Sequence, residues 1–140
     1  MTITFSKENI KFTLPKKSKL KLWIENTIKS EKKIGLAVCY TFVSDEALLK
    51  MNKEYLNHNT YTDIITFDYS EQKKITGDIF ISIDRVKENA KKFKVKFEDE
   101  LNRVIIHGVL HLCGYKDKTK TDALTMRKKE NKYLLIFKNL

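Results

Sequence analysis

The sequence holds few residues that break regular structure. Four glycines and one proline in 140 residues predict dense secondary structure with short loops, and they exclude collagen-like and Pro/Gly-rich low-complexity chains. The two cysteines, Cys39 and Cys113, are too few and too far apart for a disulfide-stapled scaffold, so two reduced, mostly buried thiols are expected. No window approaches the ~18 consecutive apolar residues of a membrane span. The opening stretch, MTITFSKENIKFTLP, lacks the long apolar segment of a secretory signal. The expectation is a cytoplasmic protein with no membrane partner. Repeats, linkers and low-complexity tracts are absent too, so residues 1–140 are expected to form one domain.

Acidic residues are in deficit: 28 Lys and Arg stand against 18 Asp and Glu, a net charge of +10. That imbalance suits an anionic partner such as nucleic acid. A lysine-rich solvated surface is the alternative, and the spread of the charges along the chain does not separate the two. The rest of the composition, 41% hydrophobic and 33% charged, is that of a globular chain able to bury a core.

The hydrophobic period switches repeatedly between strand and helix, as in an α/β or α+β domain. Ile3 and Phe5, then Ile10, Phe12 and Leu14, alternate with polar residues and read as two short strands. After Pro15, the residues Leu20, Trp23, Ile24, Thr27 and Ile28 fall at helical spacing. IGLAVCYTFV, residues 34–43, reads as a buried strand. Ser44 is a candidate N-cap for a helix with Ala47, Leu48, Met51 and Tyr55. The polar loop NHNTYTD leads to strands at 64–69 and 77–83. Asp84 is the candidate cap of a short helix ending near Phe93. Residues 97–113 form the most apolar helix, with Leu101, Val104, Ile105, Ile106, Val109, Leu110 and Leu112 around nearly its whole circumference, so it should be buried. Gly114 is its natural stop. Thr119 and Asp122 match a capping box for a last helix carrying Ala123, Met126, Tyr133, Leu134 and Phe137.

Two histidines sit on that buried helix. His107 and His111 are four residues apart and share a face, so their rings can reach one point. Buried imidazole needs partners on its nitrogens, and a shared metal ion satisfies one on each ring. A third ligand must come from elsewhere. Once the helix stops at Gly114, a turn through Tyr115 and Lys116 can bring Asp117 back beneath the histidines. Two His and one Asp form a normal zinc donor set, and three protein ligands leave a position open for chemistry. The alternative is two core histidines bonded to carbonyls with Asp117 as a loop carboxylate. Zinc peptidases place a Glu right after the first His; here that residue is Gly108, which argues against a peptidase. Cys113 faces away from the histidines and reads as core.

HGVLHLCGYKD resembles the signature of the YbeY family of bacterial rRNA maturation factors, usually H-G-x-L-H-L-x-G-Y-D-H. His107, Gly108, Leu110, His111, Leu112, Gly114 and Tyr115 fit it. NKEYLNHNTYTDIITF, Asn52 to Phe67, resembles the family block N-x-x-Y-R-x-x-x-x-x-T-D-V-L-S-F, and Gly77, Asp78 and Ile79 resemble its G-D-I. The resemblance implies a single zincin-like α+β domain, with a mixed sheet of about four strands against about five helices and the metal site on a buried central helix. It further implies a metal-dependent endoribonuclease for single-stranded RNA, carrying one zinc ion per chain. The family is linked to 16S rRNA 3′-end maturation and ribosome quality control, with rRNA and the small ribosomal subunit as partners; a monomer is expected. Three positions depart from the pattern: Asp117 replaces the third His, Lys116 its neighbouring Asp, and Leu56 the Arg after the Tyr. An anionic third ligand weakens the metal's Lewis acidity.

The candidate metal ligands are therefore His107, His111 and Asp117, and the candidate catalytic residues Arg103, His107 and His111. Arg103 lies one turn before His107 and could pair with a substrate phosphate; a salt bridge to Glu100 or another carboxylate is the alternative. Lys116, Lys118 and Lys120 flank Asp117 and could steer RNA, or could simply be a solvated loop. By the resemblance Thr62 and Asp63 lie beside the active-site cleft; a strand-entry turn is the alternative and is preferred for Asp63, and His58 reads as a loop residue uninvolved in metal binding. A zinc hydrolase of another substrate class and a non-catalytic, metal-stabilised ribosome-assembly factor remain open.

Overall fold

The computed structural model describes residues 1–140. In chain order the elements are β1 (Thr2–Lys7), α1 (Lys17–Ser30), β2 (Ile34–Val43), α2 (Asp45–Leu56), β3 (Ile64–Asp68), β4 (Lys74–Ser82), α3 (Ile83–Phe93), α4 (Phe97–Leu112) and α5 (Lys120–Lys138). The expected α+β architecture, one sheet of four strands with five helices, is what forms. The sheet order is β1-β2-β4-β3. β1 and β4 both run parallel to β2, and β3 runs antiparallel to β4.

Helix α4 is the centre of the core. It touches β3, β4, α1, α3 and α5 and buries Leu101, Val104, Ile105, Ile106, Val109, Leu110 and Leu112, each worth about 2 kcal/mol of hydrophobic stabilisation. The fully buried Tyr40 of β2 donates its hydroxyl to the Ile105 carbonyl at 2.9 Å. Trp23 of α1 donates Nε1 to the Tyr133 carbonyl of α5 at 2.8 Å, which ties those helices together beside α4. The helix approaches the sheet closely at Gly108, where a Cβ would lie 2.8 Å from Ile79 Cδ1 and 3.1 Å from Ile64 Cδ1. A smaller cluster of Val43, Leu48 and Ile65 forms where α2 packs on β3 and β4.

Five local expectations are corrected. Ile10, Phe12 and Leu14 form no strand. They pack from a loop into the main core, with Phe12 edge-on to Phe42 and Phe97, so their alternation reports burial and not pairing. Ile83 begins α3 and is not the end of β4, and the N-cap is Ser82, whose hydroxyl accepts from the Arg85 N–H at 3.1 Å. Asp84 instead accepts from the backbone N–H of Asp45 at 2.9 Å, at the start of α2. Cys39 is exposed, because β2 alternates between a covered and an open sheet face; Cys113 is buried as expected. Ala123 lies on the exposed side of α5. The caps at Ser44 and Thr119 form as expected.

Candidate metal centre

The helix α4 presents His107 and His111 one turn apart, with ring centroids 4.6 Å from one another. It then ends in the six-residue hydrogen-bond pattern that glycine makes available. The Gly114 N–H reaches the His111 carbonyl and the Tyr115 N–H the Leu110 carbonyl, both at 3.0 Å. Gly114 takes φ +108°, a left-handed backbone that costs a residue with a side chain but not glycine. The reversal brings Asp117 back to the histidines. Its Oδ2 lies 3.2 Å from His107 Nε2 and 3.4 Å from His111 Nε2.

Those separations suit a shared ion. Ligand atoms at zinc bond lengths of about 2.1 Å in tetrahedral array stand about 3.4 Å apart. All three donor atoms lie within 4.8 Å of one another, and they are two neutral-capable nitrogens and one carboxylate oxygen, a fitting zinc set. The sequence-predicted ligands therefore come together.

Sequence reasoning missed the residue that orients His107. Glu130 of α5 is buried, its side chain 6% exposed. Its Oε2 lies 2.7 Å from His107 Nδ1 and its Oε1 2.8 Å from Arg103 Nη1. A carboxylate on Nδ1 holds that proton and leaves Nε2 bare toward the ligand site. Burial opposes the charge on His107, but the Glu130 bond outweighs it, so the imidazole lies above its usual value. His111 is pushed down by burial and by His107. For Glu130, burial raises the carboxyl, but bonds from His107 and Arg103 bring it below the ordinary range. A signal for Glu130 did exist: it shares the buried face of α5 with Met126, Tyr133 and Phe137, and a buried carboxylate requires a partner.

Arg103 takes the alternative read for it, an ion pair, but with Glu130 and not Glu100; its Nη2 also donates to Asn131 Oδ1 at 2.9 Å. Of the three lysines, Lys118 lines the cleft over the site, and Lys116 and Lys120 lie outside its lining. The cleft has a volume of about 630 Å³. Its walls add Arg127, Phe93, Leu56 and Asp63. Asp63 does more than start a strand. Its carbonyl accepts from the Ser82 N–H at 3.0 Å, while its carboxyl is pushed up by burial near the acidic floor of the cleft. Cys113 is core, and burial pushes its thiol up to about 12.

A buried helix under a mixed sheet, bearing two histidines that converge with a loop carboxylate in an open cleft, is an arrangement that could hold a metal ion and suits a hydrolase. A family model described as endoribonuclease YbeY matches residues 2–138. Curated relatives named endoribonuclease YbeY include one from Flavobacterium psychrophilum, 51% identical over 135 residues and covering 96% of both chains. Another, from Cytophaga hutchinsonii, is 51% identical over 138 residues, which is 98% of this chain and 96% of its own. A solution structure of the Thermotoga maritima protein TM1509 superposes with a TM-score of 0.65 at 31% identity, covering 94% of this chain and 86% of that one. The chain belongs to the endoribonuclease YbeY family.

Proposed function

We propose that this chain is a zinc-dependent endoribonuclease that cuts single-stranded RNA, acting in 16S rRNA 3′-end maturation and ribosome quality control with the small ribosomal subunit as its partner. One observation carries the reading: His107 Nε2, His111 Nε2 and Asp117 Oδ2 converge at ligand spacing, in a chain of this family. One zinc ion per chain would be held by these three groups. When bound, it supplies a Lewis acid and the largest positive charge in the cleft.

The chain's own residues position and bind. Glu130 fixes the tautomer and ring plane of His107, and Arg103 fixes Glu130. Both terminal nitrogens of Arg103 are engaged, so its part in catalysis is to hold that array. Phosphate falls to the freer cations. Arg127 is 56% exposed, and its carboxylate contact, at 3.5 Å to a Glu130 oxygen already held by Arg103, is weak. Lys118 makes no ion pair and reaches into the same cleft; Lys116 and Lys120 add charge around it. These cations stand in for the arginine that Leu56 replaces. Phe93, 53% exposed on the cleft wall, offers a surface for an unpaired base, worth about 1–3 kcal/mol. A base inside a duplex has both faces covered, so this contact favours single strands.

The crowding at Gly108 disfavours a peptidase, because a Glu at that position has no space between α4 and the sheet. No helix is long and apolar enough to cross a membrane, and the reading places the protein in the cytoplasm as a monomer. Cleavage of single-stranded RNA by the wild type and by His111→Ala, purified side by side, tests the proposal. Loss of cleavage in the variant is expected. Equal residual cleavage in both would assign the activity to a contaminant, and zinc binding without cleavage would favour a non-catalytic assembly factor.

A further inference from the structure

The loop carrying Asp117 is tied to the rest of the molecule by a group outside the cleft. Glu31, the residue that caps the C-terminus of α1, turns its carboxylate inward and is 8% exposed. Three donors converge on it. Tyr115 donates its hydroxyl to Oε1 at 2.6 Å. The Tyr133 hydroxyl bonds Oε2, and Lys129 Nζ reaches the same oxygen at 3.3 Å. Lys129 also lies 5.3 Å over the Tyr115 ring. Burial alone would push the Glu31 carboxyl up, but the donors outweigh it and hold the group below its ordinary value, so it stays ionised and its bonds are charge-assisted.

The position of Tyr115 gives this cluster its meaning. Tyr115 follows Gly114, where α4 has ended, and precedes Asp117 by two residues. Its hydroxyl makes the side-chain hydrogen bond of the segment 114–116, while Lys116 is exposed. Gly114 itself has nothing within 4 Å of a notional Cβ; backbone bonds to α4 and the Tyr115 ring against the core hold the start of the turn, and the Tyr115 hydroxyl adds its link to Glu31. The carboxylate that captures Tyr115 is held in turn by two residues of α5. The path from α4 to Asp117 is thereby pinned to α1 on one side and α5 on the other.

We propose that Glu31 is a positioning residue: by anchoring Tyr115 between α1 and α5, it sets where the loop presents Asp117 to His107 and His111, and so how tightly the site holds its metal ion. The inference rests on the reading of His107, His111 and Asp117 as ligands. Its physical basis is preorganisation. A carboxylate on an unanchored turn must be ordered when it coordinates, and an anchored one is already in place.

The test is zinc affinity of the metal-free protein, measured by competition with a chromophoric chelator, which needs no RNA and no catalysis. Glu31→Gln and Tyr115→Phe are each made in the wild type and in Asp117→Ala. Tyr115→Phe removes one hydroxyl and keeps the ring, and thermal melting verifies that each variant folds. Each change is expected to weaken zinc binding by roughly tenfold in the wild type, the lower end for partners beyond the ligands themselves. Neither is expected to weaken it further in Asp117→Ala. The same loss in both backgrounds would overturn the proposal, since the clamp would then act by general loosening. It is also overturned if Asp117→Ala weakens binding and the clamp variants do not. If Asp117→Ala alone leaves the affinity unchanged, Asp117 is no ligand and the clamp falls with the site assignment; that arm tells the two failures apart.

Discussion

Glu130→Gln is the perturbation on which the metal centre's geometry makes its sharpest statement. The substitution keeps the shape of a buried side chain and removes its charge. It takes the anionic acceptor from His107 Nδ1 at 2.7 Å and from Arg103 at 2.8 Å. Removing an outer partner of a ligating histidine costs about 10–100-fold in metal affinity, which is about 1.4–2.8 kcal/mol. Glu130→Ala would go further, leaving Arg103 and His107 underpartnered at about 3–5 kcal/mol. That is a large share of the roughly 5–15 kcal/mol stability of a domain, so Gln is the better probe. The assay is zinc competition at two pH values. The Glu130 bond holds His107 above its ordinary value of 6.5, and a proton and a metal ion compete for that imidazole. At about pH 8 a proton competes less for the wild-type ring than it does at about pH 6, so the loss in Glu130→Gln is larger there. At about pH 6 the wild type also pays for displacing a proton that Glu130 stabilises, so the gap between the two proteins narrows. Equal affinities at the higher pH, or a gap that widens on acidification, would refute the assignment of Glu130 as the group that orients His107.

Three further outcomes follow from the cleft and its supports. Arg127→Ala should weaken single-stranded RNA binding and lower the slope of log affinity against log salt by about 0.7, one phosphate contact on a single strand; fluorescence anisotropy over a salt series measures it, and an unchanged slope would remove Arg127 from the RNA path. Gly108→Ala should lower stability by about 1 kcal/mol, because overpacking against Ile79 and Ile64 at about 1–3 kcal/mol exceeds the helix-propensity gain of about 1 kcal/mol; a melting temperature at or above wild type would contradict the close approach. Glu31, whose carboxyl is held below its ordinary 4.5, contributes stability that is present above that value and lost as pH falls through the lowered one. Acid titration of the metal-free protein should therefore show a shallower loss of stability below about pH 4.5 in Glu31→Gln than in wild type, and superimposable curves would mean the ion cluster adds nothing.

The parts of the site that local rules govern were legible in the chain. Helical spacing placed His107 and His111 on one face, and a glycine after the last apolar residue marked the reversal that returns Asp117. Both depend on neighbours within one turn, and both formed as read. Glu130, Arg127 and Glu31 were not found, because their roles arise from the packing of α5 and α1 on α4, contacts that span 23 residues for His107 with Glu130 and 84 for Tyr115 with Glu31. Periodicity says that a face is buried, not which helix lies across it. The same limit explains Ile10, Phe12 and Leu14, where alternation marked burial in a loop, and Arg103, where the sequence left a substrate contact and an ion pair equally open. Glu130 on the apolar stripe of α5 was the one distant partner with a visible trace.

The most direct test of the metal centre is an anomalous-difference map from crystals of the zinc-loaded protein. The expected result is one peak per chain at about 2.0–2.2 Å from His107 Nε2, His111 Nε2 and an Asp117 carboxylate oxygen together. A peak bound elsewhere, or a map with no peak from protein that still cleaves RNA, would contradict the account.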